Sequence, residues 1–302
     1  MERRNFIRNS ALAVAALSLS KSAAFAEGLM RVDYEFKPLR NNMGYFIEQG
    51  GTIGWLNSSE GYVVVDAQFP NTAPHVIAEL QKLGDKPFKY LINTHHHGDH
   101  TAGNIAFKSL AKNVVAHQNS LINQKNAAEK AGNLDKQLLP DITFGKGWND
   151  KVGAEQIKAY YYGSGHTNGD AVYHFEDANI AHVGDLVFNR RYPYIDRANG
   201  AHIGNWITAL DKINNQFDND TLFIWGHSLD PEKVTGNKED IKAFQNYLSK
   251  LLVFVGSEIK NGKTKEDILR ATEIPGAPEW KGDGIGRSLD AAYGELTGAK
   301  AS

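Results

Sequence analysis

The sequence predicts an α/β fold, and three observations carry that expectation. Tyr62-Val63-Val64-Val65 is a β-branched run suited to a buried strand. Just after it the apolar period becomes helical, with Val76, Ile77, Leu80 and Leu83 on one face. The succession strand, loop, helix, strand, helix then follows, which marks a layered mixed fold.

Taken in order, Met30 to Asp66 reads as successive antiparallel strands, with turn signals at Gly50-Gly51 and Asn57 to Gly61. A helix is expected between Pro74 and Gly84, and a strand over Phe88–Asn93. Thr101 is placed to cap a helix through Ile105 and Phe107 to Leu110. A strand at Val114–Ala116 and a helix over Gln118–Ala131 come next. Strand character returns from Ile142 to Tyr162. Ala171–Phe175 and Asn179–Val183 form a hairpin pattern running into Gly184-Asp185. Trp206–Phe217 reads as a helix and Thr221–Trp225 as a buried strand. Beyond Pro231 the chain is mainly helical, over Asp240–Lys260, Lys265–Ala271 and Ser288 to about Leu296.

Composition narrows the function. The 302 residues are 41% hydrophobic and 23% charged, enough for a sizeable core. A net charge of -2 without a basic patch argues against nucleic acid as a partner. The lack of cysteine excludes disulfides, thiolate ligands, a cysteine nucleophile and a lipidated cysteine. At the start, Arg3-Arg4-Asn5-Phe6-Ile7-Arg8, an apolar stretch from Ala11 to Leu19 and Ala24-Phe25-Ala26 read as a twin-arginine export signal over residues 1–26. Its apolar part is about half what a bilayer span needs. The expectation is a periplasmic or secreted chain, handled by the twin-arginine export machinery and without membrane insertion after signal removal. Nothing in the sequence sets an oligomeric state.

The chemistry is concentrated in Thr94-His95-His96-His97-Gly98-Asp99-His100, directly after the Phe88–Asn93 run. Imidazole and carboxylate are the donors that suit zinc and its first-row neighbours. Crowded imidazoles repel one another when protonated, and a bound cation keeps them neutral. Three further candidates each follow a glycine at the end of a strand-like run: His166 after Gly165, Asp185 after Gly184 and His227 after Gly226. That design places them in loops at one sheet edge, where glycine permits a sharp turn.

The order His95-x-His97-x-Asp99-His100, then His166, Asp185 and His227, resembles the metallo-β-lactamase superfamily. The resemblance spans about Met30 to His227. It implies an αββα four-layer sandwich over residues 27–235, with residues 236–302 as a helical extension packed on it. It also implies two divalent metal ions, one held by His95, His97 and His166, the other by Asp99, His100 and His227, with Asp185 between them. Zinc is the expected metal, and iron or manganese also suit an all N/O donor set. A water shared by two cations ionises near neutral pH and serves as the nucleophile. Asp99 has a second, catalytic role open to it, orienting that water or passing its proton to the leaving group.

Other residues carry weaker expectations. Asp66 could support a ligating histidine from behind. His96 sits at a variable position of the motif and is expected to point away. Arg190, Arg191 and Tyr192 could present a cation and an aromatic surface to substrate, and His202 could line the same pocket. The expected reaction is hydrolysis of a small ester, lactone, thioester or amide. A secreted β-lactamase, a phosphodiesterase or sulfur-oxidising relative, and a non-enzymatic metal-binding module are the alternatives, since one fold hosts many chemistries.

Overall fold

The computed structural model describes residues 33–299. The export signal expected over residues 1–26 lies outside the described residues. Two sheets form the centre. The first takes its strands in chain order: β1 (Glu35–Arg40), β2 (Met43–Ile47), β3 (Ile53–Ser58), β4 (Gly61–Val65), β5 (Phe88–Asn93), β6 (Ala111–His117) and β7 (Ile142–Phe144). The first four are antiparallel, as their short turns require. The pairs from β4 to β7 are parallel, because helices now return the chain to its starting edge. These are α1 (Ala73–Lys82), α2 (Gly98–Thr101), which runs into a 3-10 turn over Ala102–Phe107, and α3 (Gln118–Ala131).

The second sheet has the order β13-β12-β11-β10-β9-β8. Its strands are β8 (Gly147–Val152), β9 (Glu155–Tyr160), β10 (Val172–Phe175), β11 (Ile180–Asn189), β12 (Leu222–Ser228) and β13 (Thr235–Gly236). Only β11 and β12 pair in parallel, joined through α4 (Ile203–Gln216). Between the sheets lies a core of Tyr45, Val63, Val65, Ile92, Ile157, Tyr173 and Ile224. On the far side of the second sheet, Val183 and Leu186 pack with Trp206 and Leu210 of α4, with Phe244 and Leu248 of α5 (Lys238–Lys260), and with Leu289 of the last helix, Ile285–Thr297. A four-layer αββα sandwich results. The C-terminal helices share its core, so they hold the second sheet in place. The start of α5 is secured by a capping box, in which Asn237 accepts from the Glu239 amide and the Asp240 carboxylate from the Asn237 amide.

Three local expectations change. Thr101 precedes a 3-10 helix over Ala102–Phe107 but makes no side-chain cap: α2 already starts at Gly98 behind an extended His97, and the Thr101 hydroxyl donates to the carbonyls of His96 and His97. The helix expected over Lys265–Ala271 is a single turn, Lys265–Ile268. Asp185 and His227 lie inside β11 and β12 rather than in loops after them. The register shifts between His182 and Gly184 and again before Phe188, so a bulge turns the Asp185 side chain without ending the strand. Gly184 takes φ +51, and a Cβ there would press on Thr94. Among the described residues no helix is long and apolar enough to cross a membrane.

Candidate metal centre

Parallel pairing of β4 with β5, and of β11 with β12, brings four strand ends to one edge of the sandwich. This is the usual place for a site in such sheets. Asp66 follows β4, His95 to His100 follow β5, Asp185 sits at the bulge of β11, and His227 is near the end of β12. His166 arrives on the loop between β9 and β10.

Among the described residues, three groups of donors form there, and two of them contain the expected ligands. His95, His97, His166 and Asp185 have one ligand atom each, all within 4.8 Å of one another, and so do Asp99, His100 and His227. In the first group, His97 Nδ1 is 3.0 Å from His95 Nε2 and 2.8 Å from His166 Nε2. The outer nitrogens decide which inner atoms carry protons. His166 Nδ1 lies 2.8 Å from the Tyr194 carbonyl, which can only accept, so Nδ1 holds the hydrogen and Nε2 a lone pair. His97 Nε2 lies 2.8 Å from the Asp196 carboxylate, so His97 turns a Nδ1 lone pair inward. The Thr94 hydroxyl gives its proton to Asp66 and accepts from His95 Nδ1 at 3.1 Å, which leaves His95 Nε2 bare. The three inner nitrogens thus converge beside the Asp185 carboxylate, an arrangement that a cation satisfies. Burial, then the neighbouring His100 ring, hold the His95 pKa well below its usual value despite the Asp185 carboxylate. Burial likewise pushes that of His166 down to about 3.

The second group is richer in carboxylate. His100 Nδ1 donates to Asp66 Oδ2 at 2.7 Å. Its Nε2 lies 3.0 Å from Asp185 Oδ1 and 3.8 Å from Asp99 Oδ2. His100 Nε2 and Asp185 Oδ1 are both buried, and neither has a hydrogen-bond partner. His227 Nε2 lies 3.0 Å from Asp99 Oδ2 and 3.4 Å from Asp185 Oδ2. Burial disfavours the charged form of both rings, but Asp185, Asp99 and Asp66 outweigh it at His100 and raise its pKa well above normal. At His227, burial is outweighed by Asp185 and Asp99, and the pKa rises to about 9. Asp185 faces both groups, its Oδ2 lying 3.3 Å from His166 Nε2 and 3.9 Å from His95 Nε2. A Cβ at Gly226 would collide with the Asp185 carboxylate, so glycine is required there for space.

Asp66 supports His100 as expected and is itself held in an unusual conformation, with φ +66. Three donors hold its carboxylate: His100 Nδ1, the Thr94 amide and the Thr94 hydroxyl. Such backbone strain costs about 1–3 kcal/mol and persists where the surroundings over-determine it. His96 belongs to neither of these two groups: its Nε2 lies 3.5 Å from Asp196 Oδ2, and it makes a third possible donor group with His97 and Asp196. Asp196 itself, 99 residues from His97, was not visible as a site residue in the sequence.

A cavity of about 340 Å³ opens above the donors, lined among others by Asp99, Asp185, His227, Phe188, Arg191, Tyr192 and Tyr194. Phe188 stacks on the His227 ring at 5.4 Å. Two expected pocket residues are elsewhere. Arg190 has φ +58, and its guanidinium turns into the C-terminal region, 4.7 Å from the Trp280 ring centre. His202 caps α4, its Nδ1 accepting from the Asn205 amide, and lies beside Glu295 rather than in the cavity.

The fold and this N/O donor set define a metal-dependent hydrolase of the two-sheet sandwich kind. The model of the Metallo-beta-lactamase superfamily matches residues 48–227, and the chain belongs to that family. It is 26% identical over 196 residues to a metallo-beta-lactamase type 2 of Bacillus sp. (strain 170), covering 63% of this chain and 72% of the relative. It is 31% identical over 227 residues to a hydroxyacylglutathione hydrolase of Pelagibacter ubique (strain HTCC1062), covering 69% and 87%. A solved metallo-beta-lactamase from Pontibacter korlensis shares the fold, with a TM-score of 0.58, 18% identity, and 72% of this chain and 99% of that one covered.

Proposed function

We propose that the chain is an exported dinuclear hydrolase acting on a small ester, lactone, thioester or amide. The observation that carries this reading is the convergence of three imidazole nitrogens beside a shared carboxylate, His97 Nδ1 lying 3.0 Å from His95 Nε2 and 2.8 Å from His166 Nε2. His95, His97 and His166 would hold one divalent cation and Asp99, His100 and His227 the other, with Asp185 between them. Zinc fits best, and iron or manganese also suit these donors. Bound cations would supply Lewis acidity, lowering the pKa of water toward ~7 and polarising the carbonyl oxygen of the scissile bond.

The chain's own groups do the rest. Asp66, Asp196 and the Tyr194 carbonyl fix the orientation and proton position of the histidines before substrate arrives. Asp99 is the ligand-group carboxylate most open to the cavity, its side chain 31% exposed, and it is placed to take a proton from water and return it to the leaving group. Phe188 and Tyr194 wall the cavity and limit the water that reaches the reacting bond.

A β-lactam substrate is the second reading. It is supported by the relatives named metallo-beta-lactamase and by the export pattern of residues 1–26, since a periplasmic enzyme would meet such compounds. The test is a panel of lactam, lactone, thioester, ester and phosphodiester substrates given to metal-loaded and chelator-stripped protein. Turnover of a carbonyl substrate, lost on chelation together with a fall in melting temperature, is expected. Full turnover by stripped protein would contradict the proposal.

A further inference from the structure

The cavity above the donors has a cationic rim that comes partly from outside the segment matched by the family model. Arg191 lies on the strand-like stretch after β11 that bridges to Lys281. Arg287 stands in the first turn of the last helix, Ile285–Thr297. Both line the cavity with Asp99, Asp185 and His227, and both are exposed. Among the described residues neither is in an ion pair, in contrast to Arg190 just beside them, which faces Asp240. Arg287 keeps its guanidinium 5.7 Å from the centre of the Tyr194 ring, and Tyr194 in turn faces the His97 ring at 5.4 Å. Asp283, which lines the cavity beside Asp99 and Asp185, is in no ion pair with either arginine among the described residues.

An exposed guanidinium fork, held against an aromatic ring and free of a protein carboxylate, suits a planar oxyanion. The rest of the cavity favours the same ligand. Its floor carries donors for cations, and its walls are aromatic. The scissile carbonyl would sit on the floor while a negative group at the far end of the molecule meets the arginines.

We propose that Arg191 and Arg287 are specificity-determining residues, and that the preferred substrate carries a carboxylate distant from the bond that is cleaved. This rests on the hydrolase reading and narrows it to anionic substrates. It also gives the C-terminal helices a part in recognition, because Arg287 lies outside residues 48–227.

The test uses full-length metal-loaded protein and the 4-nitrophenyl monoesters of succinate, glutarate and adipate, each beside its neutral methyl ester. Wild-type protein should favour a charged ester, and in Arg287→Gln or Arg191→Gln the ratio of kcat/KM for charged over neutral ester should fall about tenfold, with the loss carried by KM. Arg287→Lys should recover part of it, since charge remains and the fork is lost. Both sites being exposed, melting temperature and metal content check that the variants are intact. Equal ratios in wild type and variants would overturn the inference and leave the hydrolase reading standing. Should none of these esters be turned over, the ester arm of the hydrolase reading falls while its lactone, thioester and amide arms go to the substrate panel, and calorimetric binding of glutarate decides the inference. Affinity about tenfold weaker in Arg287→Gln supports it, and equal affinity overturns it.

Discussion

The two halves of the site are built on different electrostatics. In the half of His95, His97 and His166, each ring has its outer nitrogen committed to Thr94, Asp196 or the Tyr194 carbonyl, and the inner nitrogens converge. His95 and His166 are held neutral. In the half of Asp99, His100 and His227, carboxylates outnumber what neutral rings can balance, so His100 and His227 hold protons when no cation does so for them. One half is ready to receive a cation, and the other must exchange protons for it. Asp185 touches both, so it ties the two exchanges together.

The largest expected effect comes from removing what the halves share. Asp185→Asn should lower occupancy of both positions and cut turnover more than about 100-fold, beyond the usual cost of changing a supporting group. Elemental analysis that still finds two tightly held ions per chain would break the claim that this carboxylate is common to both.

Changes behind each half should separate them. Asp196→Asn removes the charge behind His97 but keeps an oxygen for the Asn199 amide, and should weaken one ion about 10–100-fold. Asp66→Asn, directly behind His100, should weaken the other by a similar factor, with a smaller effect on the first through Thr94 and His95. Competition with a graded chelator reads the two affinities. Loss of the same ion in both variants would merge the halves into one.

A smaller effect lies in the pH dependence of stripped protein. A histidine whose pKa is raised on folding adds stability that is complete below its unfolded value, about 6.5, and is lost as pH rises through the folded value. For His227 that window runs from about 6.5 to about 9. The melting temperature of stripped protein should therefore fall across it, and that of metal-loaded protein should stay level. A parallel fall in both forms would show that the carboxylate-rich half keeps its protons even with metal present.

Much of this site was legible because its first four donors are nearly contiguous. His95, His97, Asp99 and His100 fall in six residues, and only a turn at a strand end lets them converge. Asp185 and His227 were recognisable as donors but misplaced in loops, since nothing local distinguishes a bulge at Gly184 from a strand terminus. Asp196 was missed because its partner is 99 residues away and its local pattern is that of an ordinary turn. Arg190 was placed in the pocket because adjacency to Asp185 suggested it. The positive φ that turns its side chain to Trp280 is a tertiary outcome. The layers of the fold followed from the change of hydrophobic period at Val76 and the β-branched run at Val63, whereas the start of α2 at Gly98 depends on the turn that the histidines themselves make.

The inequality of the two halves is tested most directly by titrating stripped protein with zinc at pH 7, by calorimetry in buffers of different ionisation enthalpy. The account predicts two ions per chain, one bound with little net proton release and one releasing about one to two protons. A single ion, or equal proton release for both, would contradict it.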